Sequence, residues 1–231
     1  MSLKNLYNES FRNSTLEFSP SKGLLNLLEH KLALDYLSEK EGRPFDVLEC
    51  GCGPGSHFAF WGQKPMGTSV NAFDWSEVVI EKVKSLEAFN EVNFDVFEAD
   101  SFSYPLNFDF ILDAHLFHCL IEKEQRKNYL EKIKFHLKPG GFFFSEMMIS
   151  HKGLYINDNP EVSLLDDLLY YQGQAQRYVP HSLDLEKELI ESGLKIEFFT
   201  IPYGLRMVPI PYREKALSGD PEVVRVIMRK V

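Results

Sequence analysis

The residues of this 231-residue chain with the most chemical potential sit where apolar runs end. Asp46-Val47-Leu48 leads into Glu49-Cys50-Gly51-Cys52-Gly53-Pro54-Gly55, a loop with glycine at every second position. Glycine has no Cβ, so such a loop turns sharply, adopts positive φ and lets a ligand press against main-chain atoms. It reads as the floor of a nucleotide-like cofactor site. Later runs also close on acids, at Asp74, Asp100 and Asp113, and the last is followed by His115 and His118. Histidine is the side chain whose unperturbed pKa lies nearest neutrality, which makes these two the candidates for proton transfer.

Composition narrows the partners. The formal net charge is -9, and no run of lysine and arginine interleaved with aromatics provides the footprint of a nucleic-acid binder. A small-molecule partner is expected instead. No apolar run reaches membrane-spanning length and no basic-then-apolar leader opens the chain, so no membrane partner and a cytoplasmic location are expected. The three cysteines, Cys50, Cys52 and Cys119, suit a reducing compartment. Cys50 and Cys52 have no second Cys or His pair at zinc spacing, so they read as small residues packed under the loop and no metal is expected.

The elements that must position these residues follow from periodicity and punctuation. Residues 1–20 read as an irregular or partly helical arm. Leu24, Leu25, Leu27, Leu28, Leu32 and Leu34 predict one helix over 21–38, with Ser19 or Ser21 as its N-cap. Together these form an N-terminal helical cap over 1–40. Strands are expected at 45–50, 70–74, 92–98, 108–114 and 142–149. Helices are expected at 56–62, 76–89 and 122–137, the last closed by Lys138-Pro139-Gly140-Gly141. Residues 150–180 lack clean periodicity and read as an insertion over the site. A helix from Ser182 to Ser192, with an imperfect capping box at Ser182, precedes two strands at 195–201 and 222–230. The expected fold is a single α/β domain over 1–231. It is a doubly wound, mostly parallel seven-stranded sheet with an antiparallel C-terminal hairpin and helices on both faces.

Ligands of doubly wound sheets bind beyond the carboxyl ends of the strands. A dinucleotide site wants Gly-x-Gly-x-x-Gly, whereas this loop is Gly51-x-Gly53-x-Gly55 with Ser56 where the third glycine would stand. The pattern resembles the class I S-adenosylmethionine-dependent methyltransferases, small-molecule type, from about Ser21 onward. It is carried by Glu49-x-Gly51-x-Gly53-x-Gly55, Asp74, Asp100-Ser101, Asp113 and Leu137-Lys138-Pro139-Gly140-Gly141, in that order. That resemblance implies S-adenosyl-L-methionine as cofactor. It implies that Asp74 accepts from both ribose hydroxyls, that Trp75 packs on adenine and that Asp100, with Ser101 and Phe102 beside it, accepts from the adenine amino group. Main chain at Gly51 and Gly53, the loop closed by Gly55, and the strand end at Asp113 would hold the methionine moiety, while Glu49 contacts the cofactor or orients the loop.

The expected reaction is methyl transfer to an O or N atom of a small-molecule acceptor. His118 is the first candidate base and His115 the second. The acceptor pocket is expected to be closed by Tyr155, Tyr171, Arg177 and Tyr178 of the insertion, with Arg177 able to hold an acidic group. Two other functions use the same scaffold: an aminopropyl transferase and a non-catalytic binding module.

Overall fold

The central strand forms where the chain has no polar side to turn toward water. In β4 (Phe108–Ala114), Phe108, Phe110, Ile111 and Leu112 are all fully buried. Asp109 interrupts this run. Its carboxylate is met by Lys40 at 2.7 Å, Lys138 at 2.8 Å and the Tyr36 hydroxyl at 2.7 Å, which pins the end of β4 remote from the site. The computed structural model describes residues 3–13, 18–150, 162–209 and 215–231.

The chain begins with α1 (Leu3–Asn13), α2 (Lys22–Leu28) and α3 (Lys31–Glu39). Then come β1 (Asp46–Cys50), β2 (Ser69–Asp74), α4 (Glu77–Val83), β3 (Val92–Val96) and β4. They are followed by α5 (Lys123–His136), β5 (Leu137–Ile149), α6 (Ser182–Glu191), β9 (Lys195–Thr200) and β10 (Glu222–Arg229), with β6 to β8 described below. The seven-stranded sheet has the order β3-β2-β1-β4-β5-β10-β9. Strands β1 to β5 are mutually parallel, and β10 runs antiparallel to both β5 and β9. The order reverses between β1 and β4, which is where a doubly wound sheet opens its ligand crevice. Register brings Cys50 level with Phe73 on one side and Asp113 on the other, so the glycine loop starts between two acidic strand ends.

Side chains alternate between two cores. Leu48, Ile111 and Phe143 face Tyr129, Leu130 and Ile133 of α5 and Leu185 and Leu189 of α6. Val47, Phe110, Leu112 and Phe144 face Leu24, Leu27, Leu28 and Ala33 of α2 and α3. Val79, Ile80 and Val83 of α4 cover Ala72 and Phe94. Helices thus cover both faces, as expected.

Several local expectations are corrected. The helix expected over 21–38 is two helices, because the His30 ring turns back to cap α3 and accepts from Leu32 N–H at 3.4 Å. The crossover helix over 56–62 is a single 3₁₀ turn, His57–Phe60. The helix over 76–89 stops at Val83 and is followed by a 3₁₀ turn, Glu87–Phe89. Strand β5 starts at Leu137 rather than Phe142, since Gly140 N–H and the Gly141 carbonyl pair with Lys230. The cap of α6 is His181, which accepts from Leu183 N–H, so Ser182 is already helical. The arm contains α1.

The segment expected as an irregular insertion carries a second, antiparallel sheet, β6 (Val162–Leu165), β7 (Leu168–Tyr171) and β8 (Gln174–Tyr178). Among the described residues no helix is long and apolar enough to cross a membrane.

Candidate active site

Glu49 builds the glycine loop from below. Its fully buried carboxylate accepts from Ser56 Oγ and His57 N–H at 2.7 Å and from Phe58 N–H at 3.3 Å, and it pairs with His57 Nδ1 at 2.7 Å. Those donors are the first groups of the 3₁₀ turn, which otherwise have no partner inside the turn. The loop above is held open by Gly51 at φ 64° and Gly53 at φ 51°, conformations that a side chain rarely adopts. Gly53 N–H donates to Asp74 Oδ2 at 3.0 Å and Ser76 N–H donates to Asp74 Oδ1 at 2.9 Å. Burial pushes the Asp74 carboxyl pKa up, against the pull of the Ser76, Gly53 and Trp75 N–H groups.

At the end of β4, a second buried carboxylate does similar work. Asp113 accepts from Leu116 N–H at 2.7 Å, Phe117 N–H at 3.0 Å and the Tyr129 hydroxyl at 2.9 Å. Burial raises it to about 6 despite these donors. The bonds fold residues 115–119 back over the strand end, with His115 forced to φ 73°. A non-glycine residue in that region is strained, and such strain collects at functional sites.

The two histidines have different surroundings. His115 Nε2 lies 2.8 Å from Glu146 Oε1, and Arg225 Nε donates to Glu146 Oε2 at 2.6 Å. Although burial opposes it, the bonds and charges of His115 and Arg225 hold the Glu146 carboxyl below its ordinary range. His118 is buried, and its Nδ1 accepts from Met148 N–H at 3.3 Å. Burial, with Arg177 and His115 nearby, pushes its pKa well down, so the ring is neutral. A neutral ring that accepts at Nδ1 carries its proton on Nε2. In this state His118 is a hydrogen-bond donor with no free lone pair for a base.

These elements enclose one cavity of about 800 Å³. Gly51, Gly53, Asp74, Trp75, Asp100, His115, His118 and Arg177 all line it, so eight of the sequence-derived candidates share it. Glu49, Gly55, Ser101, Phe102 and Asp113 lie outside its wall. Glu49 and Asp113 are consumed by backbone donors, and Phe102 is buried between Phe73 and His136. Of the acceptor candidates, Tyr155 falls outside the described residues. Tyr171 packs beside the cluster of Met148, Val162, Leu169 and Val179. Tyr178 donates to Glu188 at 2.9 Å and stacks under Arg126, so it braces β8 against α6.

Sequence reasoning did not single out Glu146, or Tyr7 and Phe18, which line the cavity from the N-terminal arm. A lone glutamate inside the apolar run 142–149 was a readable signal for the first. Nothing in the arm signalled the others. Among the described residues no group of three or more His, Cys, Asp or Glu side chains is arranged to hold a metal ion.

Residues 47–141 match the family model of a methyltransferase domain. Comparison with curated protein sequences finds no match. Solved structures of similar fold include an S-adenosylmethionine-dependent methyltransferase from Clostridium acetobutylicum, at 16% identity and TM-score 0.62 over 97% of this chain and 96% of that one. They also include the Burkholderia thailandensis 1,6-didemethyltoxoflavin-N1-methyltransferase with bound 1,6-didemethyltoxoflavin and S-adenosylhomocysteine, at 17% identity and TM-score 0.64 over 99% and 87%. A Methanosarcina mazei methyltransferase of the same cofactor dependence has 16% identity and TM-score 0.63 over 87% and 98%.

Proposed function

We propose that this chain is a class I S-adenosylmethionine-dependent methyltransferase that moves the methyl group to an oxygen or nitrogen atom of a small-molecule acceptor. The observation that carries the proposal is the shared cavity, whose wall holds the glycine loop, Asp74 and Asp100 together with His115, His118 and Arg177.

The residues fit the cofactor. A Cβ built on Gly53 would meet nothing within 4 Å, so the loop backbone faces open space. Asp74 uses one backbone donor on each oxygen, which leaves lone pairs for a ribose diol. Trp75 and Asp100 line the same cavity, and in this reading Trp75 would flank adenine and Asp100 would accept from its amino group. When bound, S-adenosylmethionine supplies a sulfonium-activated methyl group. The chain's own part is to hold the acceptor in line with it, and near-attack positioning of this kind supplies roughly 7–11 kcal/mol.

Where the acceptor must lose a proton, His115 is the better base. Glu146 fixes its Nε2 side, as a carboxylate fixes the orientation and tautomer of a catalytic imidazole. That leaves Nδ1 as the accepting nitrogen. His118 is assigned the complementary role of a donor that orients the acceptor.

The small-molecule reading is supported by the cavity's size, by its cover from the N-terminal arm and β8, and by the acidic charge balance. It is tested by calorimetry with S-adenosylhomocysteine and by transfer of labelled methyl to a panel of small acceptors. Asp74→Asn is expected to weaken cofactor binding by about tenfold or more, as loss of a charge-assisted bond implies. Cofactor binding without transfer to any acceptor would favour a binding module. Turnover with decarboxylated S-adenosylmethionine alone would favour aminopropyl transfer.

A further inference from the structure

Arg177 is the charge that the mechanism above leaves without a counterion. It stands on β8 and is only 9% exposed. Other deep arginines are paired: Arg126 with Glu188 at 2.8 Å and Arg225 with Glu146 at 2.6 Å. Among the described residues no carboxylate pairs with Arg177. Its Nη1 donates to the Gln176 carbonyl at 2.7 Å, its Nη2 to the Tyr7 hydroxyl at 2.6 Å, and its Nε is buried with no partner.

The unfinished edge is the Nε–Nη2 edge, the one that grips a carboxylate through two parallel bonds. Here, among the described residues, Nη2 reaches only a neutral phenol and Nε reaches nothing. The other groups nearby are uncharged: burial raises the Tyr7 and Cys119 pKa values and lowers that of His118. A buried cation without a partner is costly, and in a cavity wall it is explained by an anion that arrives with the ligand.

We propose that Arg177 receives a carboxylate of the methyl acceptor, so that the acceptor is an organic acid. The inference rests on the reading of this cavity as the acceptor site. A single guanidinium with a phenol beside it matches a monoanion. A phosphate monoester would call for further cations, and no lysine and no second arginine lines the cavity among the described residues. The cofactor's own methionine carboxylate is the other source of the same chemistry. Placement brings both sources near, because β8 packs on the 117–119 turn and Leu116 beside that turn borders Gly51, and the comparison with 5′-methylthioadenosine separates them.

The test uses the full chain saturated with S-adenosylhomocysteine and titrated with acetate, benzoate, phenylacetate and 3-phenylpropionate, with benzamide as the uncharged control. At least one carboxylate is expected to bind and benzamide to bind at least about tenfold more weakly, the loss expected for a charge-assisted bond. Arg177→Gln is expected to abolish that preference while S-adenosylhomocysteine affinity changes less than about threefold. Arg177→Lys keeps the charge without the two-donor edge. It is expected to lose affinity for the same carboxylate with cofactor affinity held, and it decides the matter if the glutamine variant does not fold.

Failure of every carboxylate to bind overturns the proposal, as does carboxylate binding that survives in both variants. Weaker S-adenosylhomocysteine binding in the variants, with 5′-methylthioadenosine binding unchanged, assigns Arg177 to the cofactor and also overturns it. Failure of the parent protein to bind S-adenosylhomocysteine would instead strike the cofactor reading beneath it.

Discussion

Replacing Tyr129 with phenylalanine takes one hydrogen bond from a carboxylate that has no water to turn to. The Tyr129 hydroxyl donates to Asp113 Oδ2 at 2.9 Å, and the ring packs against Phe102 and Phe117, contacts that phenylalanine keeps. Burial raises Asp113 from 3.8 to about 6. A raised folded pKa means that the contribution to stability is fully present below pH 3.8 and is lost as the pH rises through about 6. At 1.36 kcal/mol per pKa unit the loss is about 3 kcal/mol. A bond to an ionised group is worth about 1.5–3 kcal/mol and a neutral one about 1 kcal/mol. Tyr129→Phe should therefore raise Asp113 by a further pKa unit or so and extend the loss above pH 7.

Urea unfolding of both proteins at pH 5 and pH 8.5 isolates the effect, because other titrating groups cancel in the difference. The expected destabilisation is about 1 kcal/mol at pH 5 and about 2–3 kcal/mol at pH 8.5. Equal values at the two pH values, or less than about 0.5 kcal/mol at pH 8.5, would refute the picture of an ionised Asp113 held by Tyr129. Since Asp113 folds the turn that presents His115 and His118, turnover should fall in the same pH window.

Glu146→Gln should lower kcat by about tenfold or more, with S-adenosylhomocysteine affinity held, because it removes the carboxylate that orients His115. The pKa of Glu146 is depressed on folding, so its stabilisation is present above its ordinary 4.5 and fades as the pH falls. The variant should accordingly be destabilised at pH 7 and little affected near pH 3. An unchanged kcat would remove the positioning role. Gly23→Ala in α2 tests the same relay from farther away, since a Cβ there would lie 1.8 Å from Arg225 Nη2. The guanidinium can swing aside cheaply but then leaves Glu146. The helix-propensity gain of about 1 kcal/mol should therefore be offset, and a full gain in thermal unfolding would contradict the relay.

Strands β1, β2 and β4 were legible because each is an apolar run that closes on an acid, at Glu49, Asp74 or Asp113, and the loop was legible because Gly51 and Gly53 need positive φ. The break at His30 was not, because the leucine spacing runs through it and only a ring turned back on the chain marks the second helix. The sheet of β6, β7 and β8 was likewise hidden, since antiparallel pairing is decided by partners rather than by local pattern.

Asp74 and Asp113 show the division most clearly. By sequence alone both are aspartates closing a buried strand before a turn, and composition and spacing treat them alike. In the fold, Asp74 keeps lone pairs toward a cavity, whereas Asp113 is closed off by two backbone donors and Tyr129 from a helix. The same holds for Arg177 and Arg126, the first without a carboxylate among the described residues and the second paired with Glu188. The type of cofactor and the scaffold that carries it were thus written in residue types and spacing, which act locally. Which acid, histidine or arginine is free to meet a ligand was decided only by tertiary structure, because a polar group's availability depends on which donors and charges distant segments bring to it.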